Sequence, residues 1–194
     1  MVQIVLIRPG STDYDEQGRI QGTLDIPLNQ QGSQEAGQIV EQLRGQGIVA
    51  VYCSPCTAAM QTAAAVAAGL GIKLKTLDKM QNLDHGLWQG MLVDEVKRKQ
   101  PTVYRQWKET PQNICPPEGE MLSHAAERVH CAVNKLLKKH KEGKIAIVLP
   151  EPLASIASNY LAGTGIGEMW KSAITGGRWE VLAVEPELLA HSAH

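Results

Sequence analysis

Two short segments of this 194-residue chain carry side chains whose types and spacing can do chemistry. One is Cys53-Ser54-Pro55-Cys56. A Cys-x-x-Cys pair that follows a strand and opens a helix is a setting for thiol redox chemistry, and Cys56 in a first helical turn would have its pKa lowered by the positive end of the helix. Metal binding by the same pair would need two further ligands, and the sequence has no second Cys-x-x-Cys and no His-x-x-x-His, with Cys115 and Cys131 standing alone. The other segment is Arg8-Pro9-Gly10-Ser11-Thr12, directly after an apolar run. Arg8 and Thr12 carry groups that can bind anions, and Pro9 beside Arg8 offers no nucleophilic side chain.

The elements that must position these residues follow from periodicity. Apolar, β-branched runs at 2–7, 48–53, 73–77, 144–149 and 178–184 alternate with helical patterns, which predicts an α/β fold: a three-layer sandwich with a mostly parallel central sheet and helices on both faces. Asn29 is placed to cap a helix reaching about Arg44, and Ser54 with Pro55 reads as cap and first turn of an alanine-rich helix. Over 120–140, Leu122, Ala125, Ala126, Val129, Val133, Leu136 and Leu137 fall on one side of the longest helix, with Glu120, His124, Glu127 and Cys131 on the opposite, solvated face. The proline-punctuated stretch 80–118 predicts short helices and loops over one edge of the sheet. Residues 1–184 are expected to form a single domain and 185–194 a flexible tail, in which His191 and His194 are spectators.

Composition narrows the function classes. A formal net charge of −1 and a pI near 6.6 supply no field of one sign for nucleic acid or an anionic membrane. The alanine-rich run 62–72 is too short to span a bilayer, and four cysteines do not make a secreted disulfide framework. A cytoplasmic protein without cofactor or metal is the expectation.

Several motifs together resemble the histidine phosphatase superfamily, the phosphoglycerate mutase-like proteins. These are Arg8-Pro9-Gly10-Ser11-Thr12 after the first strand, Arg19-Ile20-Gln21-Gly22 with Asp25, Pro27, Leu28 and Gly32, Ser54-Pro55 with Gln61-Thr62-Ala63, Gly86-x-Trp88-x-Gly90, and Gly119-Glu120. The resemblance implies a doubly covered sheet with its site at the carboxyl ends of the strands. It also implies that catalytic positions have changed. Arg8 is kept, but Pro9 stands where the family has its histidine nucleophile and Asp15 where an asparagine helps hold phosphate. Ala58 replaces a phosphate-clamping arginine, Asn82 the acid/base glutamate, and Glu151 the second histidine. No histidine lies between His140 and His191. By the same resemblance His85 is a packing substitute for an aromatic residue.

Phosphoryl transfer needs cationic donors converging on the transferring oxygens, whereas here one guanidinium would face two carboxylates. Arg8 either still binds anions or is paired internally with Asp15 or Glu151. The expected function is a degenerate member of the family, a pseudoenzyme that binds a protein or small molecule in the old cleft, with Arg8, Thr12, Ser54 and Glu120 as possible ligand contacts. The alternative is altered chemistry in the same cleft, either thiol redox at Cys53 and Cys56 or hydrolysis with a carboxylate such as Glu151 as general base.

Overall fold

The structure, a computed structural model, describes residues 2–113, 115–164 and 177–184. The predicted strands form within a residue or so of their expected limits: β1 (Val2–Ile7), β2 (Ile48–Cys53), β3 (Lys73–Thr76), β4 (Gly143–Val148) and β5 (Trp179–Ala183). They build one sheet in the order β3-β2-β4-β1-β5. The pairs β3-β2, β2-β4 and β4-β1 are parallel, and β5 closes the edge antiparallel to β1.

Period-two alternation divides each central strand between two cores. Ile4, Leu6, Ile145 and Ile147 point to one face and Val5, Ile7, Ala146 and Val148 to the other, all fully buried. A strand apolar on both faces must be covered twice. Helices α6 (Leu122–Lys139) and α7 (Leu153–Leu161) cover the first face, and α2 (Gln30–Leu43) and α3 (Thr57–Leu70) the second. Burying each large aliphatic side chain contributes about 1.5–3 kcal/mol, so the two layers hold the sheet from both sides.

Local chemistry sets the helix limits. Asn29 caps α2 by accepting a hydrogen bond from the Gly32 N–H at 2.8 Å. All seven residues predicted for the apolar face of α6 are buried. That helix begins at Leu122, so Glu120 precedes it and is not part of a solvated helical stripe, which corrects the sequence reading. The alanine-rich helix also starts later than expected: Cys56 is its N-cap and Thr57 its first residue. The reason is that the Ser54 N–H still donates to the Val148 carbonyl at 3.0 Å, which keeps the chain extended past the end of β2. A short α1 (Asp13–Gln17), which the sequence reading did not anticipate, is held by reciprocal bonds between Thr12 and Asp15.

The stretch 80–118 forms α4 (Val93–Lys99), α5 (Pro101–Glu109) and single 3-10 turns around a small cluster of Ile20, Trp88 and Val96. Its anchorage is the loop after β1: Gly90 N–H bonds the Ile20 carbonyl at 2.8 Å and Val93 N–H the Gly18 carbonyl at 2.9 Å. It therefore walls the carboxyl end of the sheet, where the sequence reading had set it over one edge. Arg128 on α6 fastens this wall from behind. Its guanidinium holds both Glu120 carboxylate oxygens at 2.9 Å and the carbonyls of Lys79, Gln81 and Asn82. Among the described residues no helix is long and apolar enough to cross a membrane. The expected tail, with His191 and His194, lies outside the described residues.

Candidate functional site

A cleft of about 460 Å³ opens where β1 and β4 end. Arg8, Pro9, Thr12, Asp15, Ala58, Asn82, Cys56 and Glu151 all line it, so segments far apart in sequence do converge on one place. Proline is tolerated as the chain leaves β1 because no ladder bond needs its missing N–H. The Pro9 carbonyl still accepts from Gly177 N–H at 2.8 Å. Beyond it the loop is pinched against α2, where a side chain on Gly10 would run into the Gly32 carbonyl. Gly10 N–H is held by the Thr62 hydroxyl at 3.1 Å, and the Ser11 N–H and hydroxyl by the Glu35 carboxylate at 2.8 and 2.9 Å.

Arg8 is paired internally. Its Nε donates to Glu151 Oε1 at 2.7 Å and an Nη to Glu180 Oε1 at 2.9 Å, with the Arg8 side chain only 13% exposed. Burial acts to lower the Arg8 pKa, but the bond to Glu180 and the charge of Glu151 outweigh it and the net direction is upward. One cation between two carboxylates leaves the group net negative. A phosphate reaching Arg8 would sit beside Glu151 or displace it, and at roughly 4 Å two like charges repel by about 4 kcal/mol at an effective dielectric near 20. Asp15 does not take part in this pairing: it accepts from Thr12 N–H and hydroxyl, both at 2.8 Å.

Asn82 is buried and used structurally, its amide donating to the Gly22 carbonyl at 3.1 Å and accepting from Leu83 N–H at 2.8 Å. Two of the expected ligand contacts lie away from the cleft lining. Ser54, directly after β2, is fully buried, and Glu120 is engaged by Arg128. The thiols also depart from expectation. Burial pushes the pKa of both Cys53 and Cys56 up, so the amino-terminal field of α3 does not activate Cys56, and Cys53 does not reach the cleft. Among the described residues no group of three or more His, Cys, Asp or Glu is gathered to hold a metal ion.

The cleft has members that sequence reasoning missed. His85, read as a packing substitute, lines it and stands edge-on to Trp107, with ring centroids 5.9 Å apart. Burial lowers its pKa to about 4 despite Asp84 and Glu120 nearby, so the ring is neutral at pH 7. Ser155 on α7 also lines the cleft. Neither His85 Nδ1 nor Ser155 Oγ has a hydrogen-bond partner, although both residues are more than nine-tenths buried. Glu35 and Glu180 were missed because no local pattern marks a residue whose role depends on a strand or helix docking from far along the chain.

Residues 4–190 match the family model of the histidine phosphatase superfamily (branch 1), a match that extends into the segment expected to be a tail. The chain is 27% identical to phosphoserine phosphatase 1 of Hydrogenobacter thermophilus over 95% of its own length and 88% of that protein. It is 31% identical to phosphoglycerate mutase-like protein 4 of Arabidopsis thaliana over 75% of its own length, spanning 65% of that protein. Bacillus stearothermophilus YhfR has a similar fold, with a TM-score of 0.87 at 23% identity, covering 96% of this chain and 93% of that one. The fold is also shared with a mycobacterial glucosyl-3-phosphoglycerate phosphatase solved in complex with VO3, with a TM-score of 0.86 at 22% identity, covering 93% of this chain and 92% of that one.

Proposed function

This chain belongs to the histidine phosphatase superfamily, and within it we propose a non-catalytic member, a protein that has left phosphohistidine chemistry and retains the cleft for binding. The observation that carries this reading is the state of Arg8, whose guanidinium is held by Glu151 and Glu180 next to a proline. In the proposed correspondence Pro9 and Glu151 occupy the two histidine positions, Ala58 that of the second clamping arginine and Asn82 that of the acid/base glutamate. Each change removes a separate requirement of phosphoryl transfer: nucleophile, proton donor, or charge stabilisation. Their joint loss leaves no partial version of the mechanism, because groups that act as a unit fail together.

The test is turnover and trapping. With p-nitrophenyl phosphate and phosphoserine, the purified protein is expected to release no phosphate above buffer and to acquire no acid-labile phosphoryl group. A trapped phosphoenzyme, or turnover that disappears in Glu151→Gln, would overturn the reading, the latter in favour of carboxylate-assisted hydrolysis.

A further inference from the structure

Buried polar atoms in folded proteins are nearly always paired, so two unpaired ones on the walls of a single cleft mark a place where hydrogen-bonding capacity is left for an occupant. His85 Nδ1 and Ser155 Oγ are such a pair. A neutral imidazole and a hydroxyl can each donate or accept, so they orient a polar group without fixing its charge.

The charge is set by the rest of the lining. Asp15, Glu16, Glu35 and Glu151 face the cleft against Arg8 and Arg19. The first three accept hydrogen bonds from the neutral donors Thr12, Asn29, Ser11 and Gln31, which leave the negative charge in place. The two guanidiniums do not balance these four carboxylates, although Arg19, with neutral partners, keeps its charge. Arg8 is divided between two carboxylates, and Arg19 donates to the Gln17 side chain and the Gly90 carbonyl. Leu83, Val93, Leu122 and Trp107 supply an apolar wall, and the volume is in the range of small-molecule sites.

We propose that this cleft binds a small organic cation, a protonated amine carried on an apolar or aromatic body, the reverse of the charge that a phosphate site selects. The proposal rests on the non-catalytic reading and deepens it. The ammonium sits among the carboxylates, the body lies against the apolar wall, and His85 and Ser155 take its remaining polar groups.

Calorimetric titration at pH 7 and low salt with 2-phenylethylamine, 3-phenylpropionate and phenyl phosphate tests this. The amine is expected to saturate a single site and to bind at least about tenfold more tightly than either anion. Glu151→Gln, which releases Arg8 from one partner, should weaken the amine and strengthen phenyl phosphate. Asp15→Asn should weaken the amine as well, and gives a second reading if the first variant folds poorly. An anion binding as tightly as the amine, no binding of the amine up to about 10 mM, or indifference to both variants would overturn the proposal. Hydrolysis of phenyl phosphate during the titration would instead remove the non-catalytic reading, so the two failures are distinguishable.

Discussion

Midway along β1 and β4 the molecule is dry and apolar, whereas at the carboxyl ends of the same strands it is crowded with charge. In the sheet body Val5, Leu6, Ala146 and Ile147 are fully buried between two helical layers. At the strand ends Arg8 sits between two carboxylates, and two buried polar atoms lack partners. The two regions answer to different constraints. The sheet body holds the fold through non-directional burial that depends on volume and pattern. The polar side chains of the cleft, such as Arg8, Asp15 and Glu151, add little to that burial, so they can change identity while the scaffold persists. On this view a family fold and a departed family chemistry can coexist in one chain.

Truncation in the sheet body should give the largest effect. Ile147→Ala removes a fully buried side chain from the central strand and is expected to cost about 2–5 kcal/mol in denaturant unfolding. A cost below that of the cleft variants described next would break the contrast.

How far the sequence went follows the same division. The strands, the α2 cap and the apolar face of α6 were legible because periodicity and capping are local, and the positions of Arg8, Pro9, Asp15, Ala58, Asn82 and Glu151 on one cleft were reached through motif resemblance. Glu180 meets Arg8 only because β5 adds to β1 antiparallel, a pairing across more than 170 positions that no spacing reveals. Nothing in the local sequence marks Arg128, which gathers three carbonyls and Glu120. The start of α3 was misplaced because Ser54-Pro55 has the composition of a cap while a strand-end hydrogen bond holds it extended.

Acid should sharpen the contrast through His85. In the folded protein the ring stays neutral down to about pH 4, while in the unfolded chain it protonates near 6.5. Between those values the unfolded state carries the extra proton, so stability falls as pH drops through the window and levels off below it. The loss amounts to about 2 kcal/mol at pH 5 relative to pH 7. His85→Phe should lack this increment, seen as a smaller decline in unfolding free energy between pH 7 and pH 5. An equal decline in both proteins would remove His85 as the source.

The rim clip comes next in size. Arg128→Met leaves Glu120 and the carbonyls of Lys79, Gln81 and Asn82 without their common donor. Because both ionic partners keep some solvent access, the expected cost is about 1–2 kcal/mol, below that of a fully buried pair. Hydrogen exchange should rise first over 79–84, which separates release of the wall from general loosening.

The smallest expected effect is also the one most specific to the cleft. Pro9→His should change stability by less than about 1 kcal/mol, since the position already gives no N–H to the sheet and its carbonyl bond to Gly177 is unaffected by the side chain. It should also restore no turnover of phosphomonoesters, because the imidazole would face a guanidinium still held by Glu151 and Glu180, with Ala58 and Asn82 providing neither clamp nor proton donor. On the proposed correspondence, only replacing these together, as Pro9→His with Ala58→Arg, Asn82→Glu and Glu151→His, would meet the joint requirement for charge, nucleophile and acid in one cleft. Turnover from Pro9→His alone would mean that the remaining lining was still competent and that the ion pairs around Arg8 yield to phosphate. The proposed division between a family scaffold and a rebuilt cleft would then reduce to a single residue.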